Sequence, residues 1–226
     1  LKINSDQIKD YKILKRSVDA RKKPKLYYVY SLQVILTENS QKQVLKNNKN
    51  DNNIKEFKPT TYIIPEKFIR PDTRPIIVGA GPSGLFCAYL LALAGLDPII
   101  VERGKKVEDR TRDVLTFWNT GILDTSSNVQ FGEGGAGTFS DGKLNTLVND
   151  KLGRNKLVLE TFVKFGSPSQ ILYDYKPHIG TDILTLVIAN MREEIIRLGG
   201  QFHFNTKMDG IIVEDGSIVR SEEHTS

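Results

Sequence analysis

The chain has 226 residues, of which 39% are hydrophobic and 26% charged. That balance is ordinary for a globular protein and excludes a collagen-like, disulfide-scaffold or wholly disordered chain. The formal net charge of +5 is uneven, because residues 1–70 carry 16 Lys and Arg against 7 Asp and Glu, whereas 71–226 carry 16 against 20.

Basicity therefore belongs to the N-terminal part alone. The single cysteine, Cys87, excludes an internal disulfide and suits a reducing compartment, so a cytoplasmic location is expected. Leu1 is not a start methionine, so the true N-terminus is expected upstream. Residues 75–96 hold no charge. Three glycines and a proline at 79–84 break that run too early for a membrane helix of about 20 residues.

In chain order, residues 5–10 read as a short helix with Ser5 as its N-cap. Strand-like runs follow at 11–18 and 26–36, the second rich in Tyr, Val and Ile. A polar Asn/Lys tract at 46–53 has nothing to bury. Pro59, Pro65 and Pro71 punctuate an extended linker, and the domain boundary is placed there. From Pro75 the pattern changes. Residues 76–78 form a buried, parallel-type strand, 79–84 a turn, 85–94 a helix closed by Gly95, and 98–101 the next strand. Together they make a β-α-β unit. Residues 107–118 read as a helix. Residues 131–142, with five of the 18 glycines, read as a loop. Further helices are expected at 156–165 and at 182–198, the latter capped by Thr181 and ended by Gly199 and Gly200. Strands at 201–205 and 208–214 lead through an Asp215-Gly216 turn to 217–219.

The last seven residues, Arg220-Ser221-Glu222-Glu223-His224-Thr225-Ser226, match the in-frame translation of a common sequencing adapter. They are expected to be a scar rather than protein, which would leave the chain open at both ends. The expected organisation is a small basic α+β domain at 1–70, an α/β domain at 71–219 and the scar at 220–226.

The strongest chemical signal is Gly79-Ala80-Gly81-Pro82-Ser83-Gly84. GxGxxG alone is weak, but here a strand precedes it, a helix follows, and an acid ends the next strand. Gly79 permits the tight turn, Gly81 lets the backbone approach a pyrophosphate, and Gly84 lets helix and strand pack closely. The start of the helix that follows offers free N–H groups and a positive dipole end, and Pro82 and Ser83 of the turn are read with its glycines as cofactor-binding. Glu102 can accept hydrogen bonds from a ribose, and an acid there disfavours a 2′-phosphate. Glu102-Arg103-Gly104 is the pattern usual in flavoproteins. The loop residues Gly134, Gly135, Ala136, Gly137, Thr138, Ser140, Asp141, Gly142, Lys143 and Asn145 read as an ordered polar site, which can bring backbone N–H groups against phosphate or ring atoms.

These segments carry a resemblance: 74–104, 128–146, 176–184, 190–200 and RSVDARKK at 16–23. The chain resembles the bacterial FAD-dependent dehydrogenases described as NAD(FAD)-utilising, within the glutathione-reductase-like flavoproteins. The resemblance implies a truncated Rossmann-like FAD-binding domain preceded by a small α+β domain, in an FAD-dependent oxidoreductase. It implies that the adenosine half lies on 79–84 and Glu102-Arg103, and that the 131–145 loop lies near the pyrophosphate and isoalloxazine. The family's late Gly-Asp segment is missing from 146–219. No second GxGxxG serves a nicotinamide domain, so NAD(P)H as electron donor has no support in these residues.

His178 is a weak candidate acid, and a turn histidine is the plainer reading. Cys87 lacks a partner thiol and is read as a packing residue. Lys12, Lys15, Arg16, Arg21, Lys22, Lys23 and Lys25, with Tyr27, Tyr28 and Tyr30, can be read as a nucleic-acid patch, but no RNA-binding signature accompanies them. The alternative is thus a flavin-binding protein with a structural FAD and a basic interaction domain. No metal set and no nucleophilic triad is visible. A small-molecule substrate is expected.

Overall fold

The computed structural model describes residues 1, 3–64, 72–144, 146 and 148–225. The chain divides into two compact units. One gathers Leu1–Tyr62, Leu144–Thr161 and Pro168–Pro177; the other gathers Ile63–Lys143, Phe162–Ser167 and His178–Ser226. The expected linker falls partly on 65–71, which lies outside the described residues.

The first unit is built on an antiparallel ribbon of β1 (Ile8–Asp19) and β2 (Tyr27–Leu36). The expected helix at 5–10 is instead a 3-10 turn, Ser5–Gln7, capped by Asn4 rather than Ser5. Ladder pairing explains the change, since Ile8 already pairs with Leu36 and Asp10 with Ile35. A helix, α1 (Glu38–Asn47), fills the stretch after β2 and runs into the first two residues of the Asn/Lys tract. Sequence reading missed it, because its buried contribution is only Ser40 and Val44. Ser40 instead earns its place through hydrogen bonds, accepting from Gln7 Nε2 and Thr37 Oγ1, both at 2.8 Å. The helix α4 (Arg154–Lys164) begins in this unit. Asp150 tethers its first turn by accepting from the Asn155 amide at 2.7 Å.

The second unit holds a parallel three-stranded sheet in the order β3 (Ile76–Val78), β4 (Ile99–Val101), β5 (Gln201–His203). Its registers are Ile77 opposite Ile100 and Ile100 opposite Phe202. The helix α2 (Pro82–Leu93) connects β3 to β4, and Gly95 follows its cap with φ +72°. The helices α3 (Val107–Thr120) and α5 (Thr181–Arg197) complete the frame. The apolar part of the core is tightly packed, with Ala88, Ile100, Val187 and Ile195 fully buried. Tyr89 meets Phe165 edge-on at 5.3 Å between centroids. Cys87 is exposed on α2, which corrects the packing role read for it. The cap of α5 is Gly180, with Thr181 as the first helical residue. Both termini of α5 otherwise follow the reading.

A hairpin closes the chain: β6 (Thr206–Glu214) and β7 (Ser217–Thr225). Asp215 and Gly216 both have positive φ, +49° and +77°, as a two-residue hairpin turn requires. The expected strand at 217–219 runs on through residues 220–225. Main-chain pairing needs no particular side chains, so a ladder once started extends along whatever residues follow. No helix among the described residues is long and apolar enough to cross a membrane.

Candidate functional site

The turn at 79–84 is shaped by its glycines. Gly79 sits at φ +94°, which an L side chain rarely adopts. A Cβ on Gly84 would stand 1.9 Å from the Gly79 carbonyl oxygen, so α2 packs onto the turn at a distance only glycine allows. A Cβ on Gly81 would meet nothing within 4 Å. Gly81 is the N-cap of α2, and no side chain caps that helix start, which leaves its N–H groups for a ligand. Pro82 occupies the first turn, where its missing N–H costs nothing.

Glu102 follows β4 and is buried. Its two oxygens accept from the amides of Ala80 and Gly104, each at 2.8 Å. The carboxylate therefore braces the turn from beneath, and its remaining lone pairs are what a ribose can use. Arg103 lies over the Phe131 ring at 3.9 Å, and its Nε is buried without a hydrogen-bond partner. These groups line a cavity of about 350 Å³, with Gly79, Gly81, Gln130, Phe131, Gly132, Gly135, Thr206, Lys207 and Met208 also in its wall. Open space over Gly81, a bare helix start and a buried orphan donor on Arg103 fit the adenosine diphosphate part of a dinucleotide.

The glycine-rich loop is part of this site at one end. The Gly134 amide donates to the Ala80 carbonyl at 2.8 Å. A Cβ on Gly135 would lie 3.0 Å from Pro82 Cδ, so the loop rests against the start of α2. A Cβ on Gly134 would stand 2.2 Å from Thr138 Oγ1, and Thr138 is buried. Ala136 and Gly137 are exposed in a 3-10 turn, Ala136–Phe139. Farther along, Ser140, Asp141 and Lys143 are exposed, and Asp141 pairs with Lys143 at 2.7 Å. Gly142 packs instead on Ile179, whose amide donates to its carbonyl at 2.9 Å. None of residues 136–143 lines the cavity. Asn145 lies outside the described residues. His178 forms a β-bridge with Lys143 and is not in the cavity wall either.

Sequence reading missed the layer behind the loop. Arg110, on α3, is 0% exposed and donates to five carbonyls of residues 128–135. Burial pulls its pKa down to about 10, against the raising influence of Glu102 and Glu133. Glu133, also 0% exposed, accepts from the Val107 amide at 2.7 Å and from Arg192 Nη1 at 2.6 Å. Its other oxygen is buried without a partner. Burial pushes Glu133 up to about 7 despite Arg192. Burial alone would lower Arg192, but the hydrogen bonds it donates to Glu108 and the charges of Glu133 and Glu108 outweigh that, so its pKa is raised. The guanidinium thus stays charged, and Glu133 is the member that titrates. An acid among glycines at 132–135 and an arginine in the apolar stretch of α5 were the available signals.

Residues 72–120 match the family model described as an FAD binding domain. That span holds the whole turn, α2, β4 and Glu102, and the match supports FAD as the cofactor. Residues 1–35 match a domain of unknown function (DUF8436). An uncharacterised protein of Clostridium beijerinckii is 42% identical over 223 residues, 96% of this chain and 40% of that protein. The chain thus spans about two fifths of that relative's length. A thiamine thiazole synthase of Saccharolobus islandicus is 46% identical over 56 residues, 22% of this chain and 20% of that enzyme. Among solved structures, the L-amino acid deaminase of Proteus vulgaris aligns over 73% of this chain and 47% of its own, at 15% identity and a TM-score of 0.32, a level at which folds need not be shared. Among the described residues no His, Cys, Asp and Glu group can hold a metal ion.

Proposed function

We propose that the chain contributes the adenosine-binding part of a Rossmann-like FAD domain in an FAD-dependent oxidoreductase acting on a small molecule. One observation carries the reading: the Gly134 amide on the Ala80 carbonyl sets the glycine-rich loop beside the open space over Gly81, within a unit whose residues 72–120 match an FAD binding domain. FAD, when bound, supplies the redox chemistry; the protein supplies binding, orientation and electrostatics. Gly81 and the start of α2 would hold phosphate, Glu102 the ribose hydroxyls, and Arg103 with Gln130, Thr206 and Lys207 the walls of the adenosine cavity. The Gly135 backbone would continue that surface toward the rest of the cofactor.

The test is direct. Apoprotein titrated with FAD should gain a stoichiometric flavin absorbance that survives gel filtration. A folded chain that takes up no FAD would overturn the reading. Bound flavin that neither a chemical donor nor light reduces would leave a cofactor with a structural role only, and the oxidoreductase part would fall.

A further inference from the structure

We infer that Arg110 is a positioning residue that sets the direction of the glycine-rich loop toward the cofactor; this rests on the FAD reading above. The guanidinium has no solvent exposure. Its Nε donates to the Asn128 carbonyl at 2.8 Å and its Nη2 to the Val129 carbonyl at 2.9 Å. Its Nη1 donates to the carbonyls of Gly132, Glu133 and Gly135 at 3.3, 2.6 and 2.9 Å. The planar fork is thus used on backbone, with Glu102 and Glu133 answering its charge through space.

Carbonyl and amide point in opposite directions on a trans peptide. A guanidinium that collects the carbonyls therefore turns the paired amides outward. The peptide joining Glu133 to Gly134 shows this directly, since its carbonyl is on Arg110 and its N–H is on the Ala80 carbonyl. The peptide joining Gly132 to Glu133 does the same, with its N–H on the Lys105 carbonyl at 3.1 Å. The grip on Gly135 turns the Ala136 N–H away from the guanidinium in the same sense, at the point where the loop meets Pro82. The loop is shaped to this side chain: a Cβ on Gly132 would stand 2.5 Å from Arg110 Cδ. The Phe139 ring closes the pocket at 4.8 Å. A lysine keeps the charge but concentrates its donors at one point, so it cannot span carbonyls from 128 to 135.

The experiment uses the whole chain with Arg110→Lys and Arg110→Ala. FAD affinity is expected to fall about 100-fold in both, as for loss of two or more charged hydrogen bonds. In Arg110→Ala, millimolar ethylguanidinium should restore part of the affinity while equal sodium chloride does not, a response that general destabilisation would not give. Arg110→Lys binding FAD within about threefold of wild type would overturn the inference. Should both variants fail to fold, exchange of the Arg110 Nε–H in the wild-type chain decides: protection supports the role, and exchange as fast as in free arginine overturns it. Should wild type take up no FAD, the flavin reading fails by itself. Amide protection across 128–136 then decides the role of Arg110: lost in Arg110→Lys it stands, unchanged it falls.

Discussion

The Gly134 amide lies 2.8 Å from the Ala80 carbonyl oxygen, joining the glycine-rich loop to the turn at 79–84 across 54 residues of sequence. Either segment alone is a turn rich in glycine. Together they make one surface, with the Gly81 backbone open beside them. The expected consequences fall on the turn, on its brace and on the buried layer behind the loop.

Gly81→Val should separate folding from binding. Gly81 has ordinary extended torsions, φ −71° and ψ −178°, and a Cβ there meets nothing within 4 Å. The variant should melt within a few degrees of wild type, while its FAD affinity falls by about 100-fold or more as the side chain fills the phosphate approach. Retained stoichiometric FAD on titration would contradict this site.

Gly84→Ala should do the reverse. The new methyl would stand 1.9 Å from a backbone oxygen, and backbone does not swing aside as a flexible side chain does. Overpacking of this kind costs about 3 kcal/mol. Urea unfolding that shows a loss below about 1 kcal/mol would mean that α2 can move off the turn freely.

Glu102→Gln tests the brace. Two amide donors aim at the two carboxylate oxygens, and a glutamine turns a donor toward one of them. A buried amide left unpaired costs about 1–3 kcal/mol. Stability should fall by that amount and FAD affinity should weaken with it. A variant as stable as wild type would show that one of the two bonds carries no weight.

Glu133 gives stability a pH dependence. Its folded pKa is raised, to about 7 from the ordinary 4.5. Between those values the folded chain holds the proton more tightly than the unfolded chain. This group therefore lowers stability progressively as pH rises from about 4.5 to 7, by about 3 kcal/mol in all. Glu133→Gln removes that slope, so its stability relative to wild type should rise across this window. Denaturation curves at pH 5 and pH 8 measure the difference. A constant offset between the two proteins would show that Glu133 stays ionised on Arg192 throughout.

The turn was legible in the sequence because its demands are local. A left-handed glycine at 79 and the close approach of 84 to the Gly79 carbonyl are settled within six residues of sequence, whereas the open space over Gly81 asks for glycine only on behalf of a ligand. The apolar runs of β3 and β4 and the helix stop at Gly95 were readable for the same reason, whereas α2 starts at Pro82, three residues before the expected Leu85. The helix α1 escaped because two buried residues leave too faint a periodicity.

By itself the sequence determined a β-α-β unit with a glycine turn between strand and helix, and it marked 131–142 as a glycine-rich loop. Only the tertiary structure decided which end of that loop meets the turn: Gly134 and Gly135 do, whereas Ser140, Asp141 and Lys143 face outward. It alone also placed Arg110, Glu133 and Arg192 behind the loop. The reason is physical. Torsional preference is written into each residue, but the partner of a buried guanidinium is set by which carbonyls the packed chain brings within reach, and those lie 18 to 25 residues away.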